Sequence, residues 1–331
     1  MTVRGWSTRL GVRLAAVGMT LAVLAVPTFT YLYVKQRVQL GEQIPAPVLP
    51  PLAPATEARF RAAAAGGESF VVLGYHDLVE SLPDGAPVSG RRVSVTVAAF
   101  AAHLRMLRLA GYESVSADRV ADVVDGKGVL PRRAVLIAFD GARWRDWSRA
   151  DPVLAEYGYR ATIFVDPATV RTRRGTTLSW RALKRMAGSG RWSVGVAGTR
   201  ATVPVGNGLA ASALLARSWL EEQKRMETTA EYAYRIRTTI DRQRHEIVAH
   251  GIDDPRLFSY PFQPLYPLKP ADLTRLNATV TDSFEAAALT LAEDQSADQA
   301  WLSQRVLPRL EIYSSTTDEM LLNRIQNLAT S

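Results

Sequence analysis

Polar residues stand at the ends of four predicted strands, where they could act on one substrate together. The four groups are Tyr75-His76-Asp77, Asp140-Gly141, Ala197-Gly198-Thr199 and Tyr260-Pro261-Phe262. Parallel strands direct their carboxyl ends at one mouth, and active sites of alternating α/β proteins form there. The chain has no cysteine, so a thiol nucleophile, a disulfide and a thiolate metal site are all excluded. Any metal at this mouth would need His, Asp or Glu ligands.

The elements that must position these groups are short strands that alternate with amphipathic stretches. This alternation is typical of helices covering a mostly parallel sheet or barrel. The run Ala134–Phe139 is continuously apolar, which indicates a strand buried on both faces, and Asp140 ends it. Further strands are predicted at 70–73, 161–165, 192–196, 257–260 and 310–313. Helices are predicted between 96 and 111, at 152–157, 180–187, 210–250 with an interruption near 228, 270–277 and from 317 onward.

The composition is that of a globular chain with a basic surface. Of 331 residues, 47% are hydrophobic and the formal net charge is +8, which favours an anionic neighbour. The basic residues are scattered along the sequence and form no basic arm with interleaved aromatic residues. We therefore predict no nucleic-acid partner.

The N-terminal region predicts a membrane anchor. Leu14–Val34 is a run of 21 residues without a charge, close to the roughly 20 that span a bilayer as a helix. Residues 1–13 carry three arginines, and this bias places the N-terminus in the cytoplasm. The alternative is a signal peptide cleaved near Val23 and Ala25. Both interpretations export the rest of the chain, and the first predicts a single-pass protein of the plasma membrane.

A Pro/Ala-rich stalk is predicted at residues 35–67, ahead of one globular domain at 68–331. Five prolines between Ile44 and Thr56 keep the backbone extended and remove amide donors. The Ala-rich stretch Glu57–Ala65 predicts a short helix, and two glycines then lead into the domain.

Six segments of the domain resemble the polysaccharide deacetylases of the NodB-homology group, carbohydrate esterase family four. The segment AVLIAFDGARWRDWSRADPVLAEYGYRATIFV is similar to the family's strand ending in Thr-Phe-Asp-Asp-Gly, its helix and its next strand. The other five are LGYHDLVE, SVTVAAFAAHLRMLRLAGYESVS, LSWRALKRMAGSGRWSVGV, METTAEYAYRIRTTI and PRLFSYPF. The YHD and SYPF elements resemble the branch that acts on poly-N-acetylglucosamine. The resemblance implies a distorted (β/α) barrel with fewer than eight strands.

The resemblance also implies which residues form the site. The family hydrolyses an N-acetyl amide with a divalent metal such as zinc, which polarises the carbonyl and activates water. It places the catalytic base at Asp140. The YHD element resembles one that borders the family's active site, which makes His76 the second candidate catalytic residue, with a structural histidine at a strand end as the alternative. The candidate substrate-binding residues are Asp77, Arg143, Trp144 and Tyr260.

The metal-ligand positions of the family carry no ligand in this chain. The second Asp of the family motif falls on Gly141, and the two histidines of its His-x-x-x-His element fall on Ala197 and Ala201. Alanine and glycine have no side-chain lone pair to donate. We therefore predict no metal-binding residue and no cofactor. The alternative is a rebuilt ion site made from His76, Asp77 and Asp140, with Asp140 alternatively serving as a helix cap.

The remaining histidines do not restore the site. His103 lies in a predicted amphipathic helix and is interpreted as solvated or half-buried. His245 and His250 are five residues apart, which on a helix puts them on different faces, and both are predicted to lie at the surface.

Two functions from different classes follow. The first is a pseudoenzyme of cell-surface amino-sugar polysaccharide metabolism, which binds polymer or a membrane glycosyltransferase or synthase. The alternative is an active N-deacetylase of poly-N-acetylglucosamine-type polymer that uses Asp140 and a rebuilt site.

Overall fold

Seven parallel strands close into a barrel in the computed structural model, which describes residues 45–82, 93–170, 176–199, 201–261, 270–290 and 305–330. In order round the barrel the strands are β1 (Ser69–Tyr75), β14 (Val306–Glu311), β13 (Ala286–Thr290), β12 (Leu257–Ser259), β7 (Trp192–Ala197), β6 (Ala161–Val165) and β5 (Arg133–Asp140). The ring closes because β1 pairs with β14 on one side and with β5 on the other. The strand β4 (Glu113–Ser114) pairs only with β5, outside the ring. The predicted barrel of fewer than eight strands is confirmed.

Helices surround this barrel, and short strand pairs extend its mouth. The helices are α1 (Pro54–Ala63), α2 (Val97–Leu109), α3 (Ala117–Val124), α4 (Trp144–Tyr157), α5 (Trp180–Ala187), α6 (Thr229–Ala249), α7 (Pro270–Ser283) and α8 (Asp318–Thr330). The short strands are β2 (Asp77–Val79) with β3 (Ser94–Thr96), β8 (Thr202–Gly206) with β9 (Leu209–Ser212), and β10 (Trp219–Leu220) with β11 (Arg225–Met226).

Strand alternation divides the core into an inner and an outer layer. Val72, Leu136 and Phe164 belong to a small cluster inside the barrel. The larger cluster lies between the barrel and the helices, and it includes Phe139 and Leu310. All eight residues of β5 are buried, which agrees with the two-sided burial predicted from its apolar run.

Helix α3 closes the amino-terminal end of the barrel through a partly exposed ion cluster that we call the basal cluster. In it, the Arg256 guanidinium contacts Asp122 at 2.5 Å, Asp125 at 2.8 Å and Glu285 at 3.1 Å. Arg256 directly precedes β12 and Glu285 directly precedes β13. The basal cluster therefore fastens the helix to two barrel strands.

The predicted long helix at 210–250 is wrong in its first half. Residues 202–226 form two hairpins, and the helix begins only at Thr229 with Thr228 as its N-cap. The carbonyls of Ala213, Leu214 and Ala216 accept hydrogen bonds from side chains of α6. Side chains of a neighbouring helix thus take the acceptors that a local helix would need, and this tertiary pairing overrides the helix-forming composition.

The described part of the predicted stalk packs on the domain. The short helix predicted at 57–65 forms as α1 at Pro54–Ala63, and Phe60 within it is fully buried. Before it, Ala46, Leu49 and Leu52 pack against the outer core. The predicted anchor at 14–34 lies outside the described residues. Among those residues, no helix is long and apolar enough to cross a bilayer.

Candidate functional site

Asp140 ends β5 at the mouth of the barrel and is buried. Its position follows from strand alternation, which points the even-numbered residues of β5 inward. The Oδ1 atom of Asp140 accepts hydrogen bonds from Ser259 Oγ at 3.1 Å and from Arg309 Nη1 at 3.0 Å. Helix α4 has Arg143 at its N-cap position, without a side-chain cap. Asp140 is therefore not a helix cap, which was the alternative interpretation of this residue.

His76 lies between two carboxylates. Its Nε2 atom is 2.6 Å from Glu311 Oε2, and its Nδ1 atom is 3.6 Å from Asp140 Oδ2. His76 and Asp140, the two predicted catalytic residues, are thus brought together. A histidine oriented by one carboxylate and facing another can move a proton between them and a substrate atom.

A buried arginine completes this group. Arg309 is fully buried, and it donates to Ser259 Oγ at 2.6 Å and contacts Glu311 Oε1 at 2.7 Å. Burial acts to lower the pKa of Arg309, but the charges of Asp140 and Glu311 outweigh it and the pKa is raised. We call His76, Asp140, Ser259, Arg309 and Glu311 the mouth network.

Gly74 makes room for the mouth network from β1. A Cβ atom on Gly74 would lie 2.8 Å from Glu311 Oε2 and 3.0 Å from Arg309 Cδ. Only glycine allows β1 and the two long side chains of β14 to approach this closely.

The sequence prediction missed Ser259, Arg309 and Glu311. Ser259 stood within the SYPF element without an assigned role. Arg309 and Glu311 are two residues apart, so they face the same side of β14. Two opposite charges on one face of an otherwise apolar strand were the signal available in the sequence. The strand was predicted at 310–313 and lies at Val306–Glu311. The predicted bounds left Arg309 outside the strand, so its common face with Glu311 was not recognised.

A second group of predicted residues lies at the rim. Asp77 Oδ1 is 3.4 Å from Arg143 Nη1, and Asp77 Oδ2 accepts a hydrogen bond from Ser94 Oγ at 3.0 Å. Trp144 is half-buried, and its ring packs edge-on against Trp147 at 4.9 Å between centroids. Asp77, Arg143 and Trp144 therefore flank the mouth network within one stretch of surface.

Tyr260 does not join them. It is buried in the outer core, where its ring packs against Phe258. The Tyr260 hydroxyl donates to Asn277 Oδ1 at 2.6 Å, and burial raises the pKa of this phenol. As the structure places it, Tyr260 holds α7 to the barrel.

Asp146 is a buried carboxylate that no sequence pattern singled out. Its Oδ1 atom accepts the Leu78 amide at 2.9 Å, and its Oδ2 atom is buried without a hydrogen-bond partner among the described residues. Burial raises the pKa of Asp146 to about 7. The neighbouring Arg143 opposes this rise and Asp77 adds to it.

The metal implied by the family does not fit the residues present. Gly141 has φ +93°, a conformation that residues with a side chain rarely adopt. Ala197 and Ala201 have no donor atoms, and Gln243 Nε2 donates to the Ala197 carbonyl at 3.1 Å. Within the ranges that the structure describes, no group of three or more His, Asp or Glu side chains is arranged to hold an ion.

The other histidines lie away from the mouth. His103 is fully buried, and its interpretation as a solvated or half-buried residue is wrong. Its Nε2 atom donates to the Thr316 carbonyl at 2.9 Å, its Nδ1 atom is 3.1 Å from the Tyr75 hydroxyl, and burial lowers its pKa to about 4. His245 and His250 are exposed, as predicted, and His250 stacks on Trp180 at 4.0 Å.

The comparison with protein families agrees with this architecture. The model of the polysaccharide deacetylase family matches residues 127–275, which include Asp140 and the strands β5, β6, β7 and β12. Residues 127–275 therefore match a polysaccharide deacetylase domain.

A curated enzyme is similar in sequence to this chain. The poly-beta-1,6-N-acetyl-D-glucosamine N-deacetylase of Escherichia coli K12 is 23% identical over 217 residues, covering 58% of this chain and 30% of that protein. The chain thus spans less than a third of the length of this curated relative.

Solved structures share the fold. A de-N-acetylase from Aggregatibacter actinomycetemcomitans superposes with a TM-score of 0.62 at 19% identity, over 78% of this chain and all of that one. IcaB from Ammonifex degensii gives 0.54 at 21% identity, over 78% of this chain and 98% of its own. The domain therefore shares the barrel fold of these deacetylase structures.

Proposed function

We propose that this protein binds a cell-surface amino-sugar polysaccharide of the poly-N-acetylglucosamine type without hydrolysing it. The proposal rests on one observation: the three positions that hold the metal in the family are Gly141, Ala197 and Ala201 here, and none of these residues has a side chain that can bind an ion. Without an ion, the amide carbonyl has no Lewis acid to polarise it, and the attacking water is not activated. A domain that keeps the barrel and the polar mouth keeps the shape that receives a sugar chain. The name of its E. coli relative supports the choice of polymer.

The test uses the full chain, purified with a mild detergent. Metal content is measured by inductively coupled plasma analysis, acetate release from N-acetylglucosamine oligomers is assayed, and binding of the same oligomers is titrated by calorimetry. We expect saturable binding of the oligomers and no release of acetate. The metal content should stay below about 0.1 equivalent per protein chain. Stoichiometric metal with acetate release would refute the proposal.

The second candidate function is an active N-deacetylase, and one contact favours it. His76 lies 3.6 Å from Asp140 and is held by Glu311, so an acid and a base remain paired at the mouth. On this alternative, Asp140 takes a proton from water and His76 returns one to the leaving amine. Acetate release that is abolished by Asp140→Asn and unchanged by the same substitution at the exposed Asp253 would establish it.

The location and protein partner belong to the same proposal. We place the domain outside the cytoplasm, held by Leu14–Val34 as a single-pass helix, beside a membrane glycosyltransferase or synthase that makes the polymer. Protease accessibility in intact and lysed cells tests the location. Crosslinking in membranes, followed by identification of the captured protein, tests the partner, and capture of no glycosyltransferase counts against it.

A further inference from the structure

Helix α4 presents a buried carboxylate to the strand that follows His76. Asp146 is 1% exposed, and its Oδ1 atom accepts the Leu78 amide of β2 at 2.9 Å. Its Oδ2 atom is also buried and has no hydrogen-bond partner among the described residues. A buried carboxylate is strongly destabilised in its ionised form unless a cation or donor reaches it. Asp146 therefore needs a cation whenever it loses its proton.

Arg149 binds the other backbone group of Leu78. Its Nη1 atom donates to the Leu78 carbonyl at 2.6 Å, and its Nη2 atom donates to Glu80 Oε1 at 2.8 Å. Side chains of α4 thus bind both the amide and the carbonyl of Leu78, and they hold β2 against the helix. Because both terminal nitrogens of Arg149 are engaged in this way, the cation for Asp146 has to come from another residue.

Arg143 has the position to supply that cation. It stands at the N-cap of α4, three residues before Asp146, and side chains at this spacing are neighbours on a helix. Its charge acts to lower the pKa of Asp146, against the burial that raises this pKa to about 7. The Arg143 side chain is 40% exposed, so it can turn without disturbing the core.

In the structure Arg143 contacts a different carboxylate. Its Nη1 atom is 3.4 Å from Asp77 Oδ1, a long distance for a direct ion pair. The Oδ2 atom of Asp77 accepts a hydrogen bond from Ser94 Oγ at 3.0 Å, and the charge of Asp77 acts to raise the pKa of Asp146. Two carboxylates, on β2 and on α4, thus lie within the electrostatic reach of one guanidinium.

Other charged groups around Asp146 are less well placed. Arg145 is exposed and acts on the pKa of Asp146 in the same direction as Arg143, but adjacent residues of a helix do not face each other. Helix α2 also packs on α4. Its arginines act on Tyr157 at the other end of α4, and its His103 is bonded elsewhere.

We propose that Arg143 is shared between Asp77 and Asp146, so that ionisation of Asp146 draws Arg143 away from Asp77 at the rim of the mouth. At low pH Asp146 is neutral and Arg143 stays on Asp77, as in the structure. Once Asp146 is ionised, Arg143 turns to its Oδ2 atom and leaves Asp77 without this cation. Asp77 then offers a carboxylate to the hydroxyl or ammonium groups of a ligand. The exchange takes place within the chain, so the inference goes beyond the proposed function and does not depend on it.

The first experiment measures the contact of Arg143 with Asp146 in the full chain. Urea midpoints of Arg143→Gln are compared with those of the unchanged chain at about pH 5.5 and about pH 8.5, with and without Asp146→Asn. We expect Arg143→Gln to lower the midpoint at least about twice as much at the higher pH, because only there does it leave an ionised Asp146 without a cation. With Asp146→Asn the two losses become equal.

Arg145→Gln is the matched control for this experiment. It removes an exposed arginine of the same helix turn that acts on Asp146 without facing it. We expect its pH dependence to be less than about half of that of Arg143→Gln. An equal pH dependence for the two variants, or none for Arg143→Gln, overturns the inference.

The second experiment measures the release of Asp77. The non-additive part of Asp77→Asn and Arg143→Gln is determined at the same two pH values, and the histidines that titrate in this range cancel because every variant contains them. We expect this coupling to fall by at least about half at the higher pH and to stay unchanged in the Asp146→Asn background. A coupling that does not change with pH in either background overturns the inference. Neither experiment uses a ligand, so both are separate from failure of the proposed function, which requires metal or acetate release in the wild type.

Discussion

The two ends of the barrel each hold an arginine bound to several carboxylates, yet the two sites differ in their access to water. At the mouth, the side chain of Arg309 is 0% exposed and those of Asp140 and Glu311 are 8% and 2% exposed. At the base, Arg256 is 21% exposed and its partners range from 22% to 40%. Burial makes each mouth charge depend on the others, because an unpaired charge there has no solvent to stabilise it. The charges of the basal cluster stay partly exposed to water, and their contacts hold α3 against the barrel strands.

The largest effect is expected from removing the buried arginine. Arg309→Met leaves the buried carboxylates of Asp140 and Glu311, on either side of His76, without their guanidinium partner, so the free energy of unfolding falls by about 3–5 kcal/mol. Urea unfolding at pH 7 measures it. A loss below about 1 kcal/mol would mean that water enters the mouth and that the two ends do not differ as described.

Asp146 is a buried carboxylate with no ion pair among the described residues. We expect its replacement to raise the free energy of unfolding, whereas replacement of Arg309 lowers it. Burial raises the pKa of Asp146 from 3.8 to about 7, so the native state holds a proton that the unfolded chain releases between these values. Stability from this group is therefore present at low pH and is lost as the pH rises toward 7.

Asp146→Asn keeps an acceptor for the Leu78 amide. Because asparagine does not ionise, the variant does not lose stability as the pH rises toward 7. We expect stabilisation of about 2–4 kcal/mol at pH 8 and less than half of this at pH 5. Unfolding curves of both proteins at the two pH values measure it. Equal effects at both would show that Asp146 is ionised without penalty.

The close approach at β1 gives the next prediction. Gly74→Ala places a methyl group against Glu311 and Arg309, which we expect to destabilise the domain by about 1–3 kcal/mol. The matched control is Gly67→Ala, where nothing lies within 4 Å of the added atom, and its effect should stay within about 0.5 kcal/mol. Equal unfolding midpoints for the two variants would show that the mouth network adjusts freely.

The smallest effect is expected at the base. Arg256→Met removes three contacts with partly exposed carboxylates, and we expect a loss of about 1 kcal/mol. Raising the salt concentration to about 1 M should shrink this loss, while leaving the effect of Arg309→Met nearly unchanged. Salt-insensitive destabilisation at the base would contradict the contrast between the two ends.

Elements with a strong local pattern were predictable from the sequence. The bounds of β6 and α5 match the prediction because an apolar run and an amphipathic stretch each specify their own structure. The hairpins at 202–226 were not predictable, since Tyr232 and Arg235 of a later helix decide the conformation there. Asp140 and His76 were placed at one mouth because both end strands. Their partners on β14 could not be assigned, because strand composition does not reveal which strands close a ring.

The closure of β1 on β14 has a consequence for the order in which the protein can fold. Val72 pairs with Arg309, so the ring joins strands that are separated by nearly the whole domain. During synthesis, Asp140 and His76 emerge long before the arginine and glutamate that complete their network. Until the last strand arrives, the nascent barrel has an unpaired strand edge on each side of the gap, which exposes it to aggregation, and Asp140 has no counter-ion. Closure of the barrel therefore requires the final strand, and a chain that stops before residue 309 cannot form the pairing between β1 and β14.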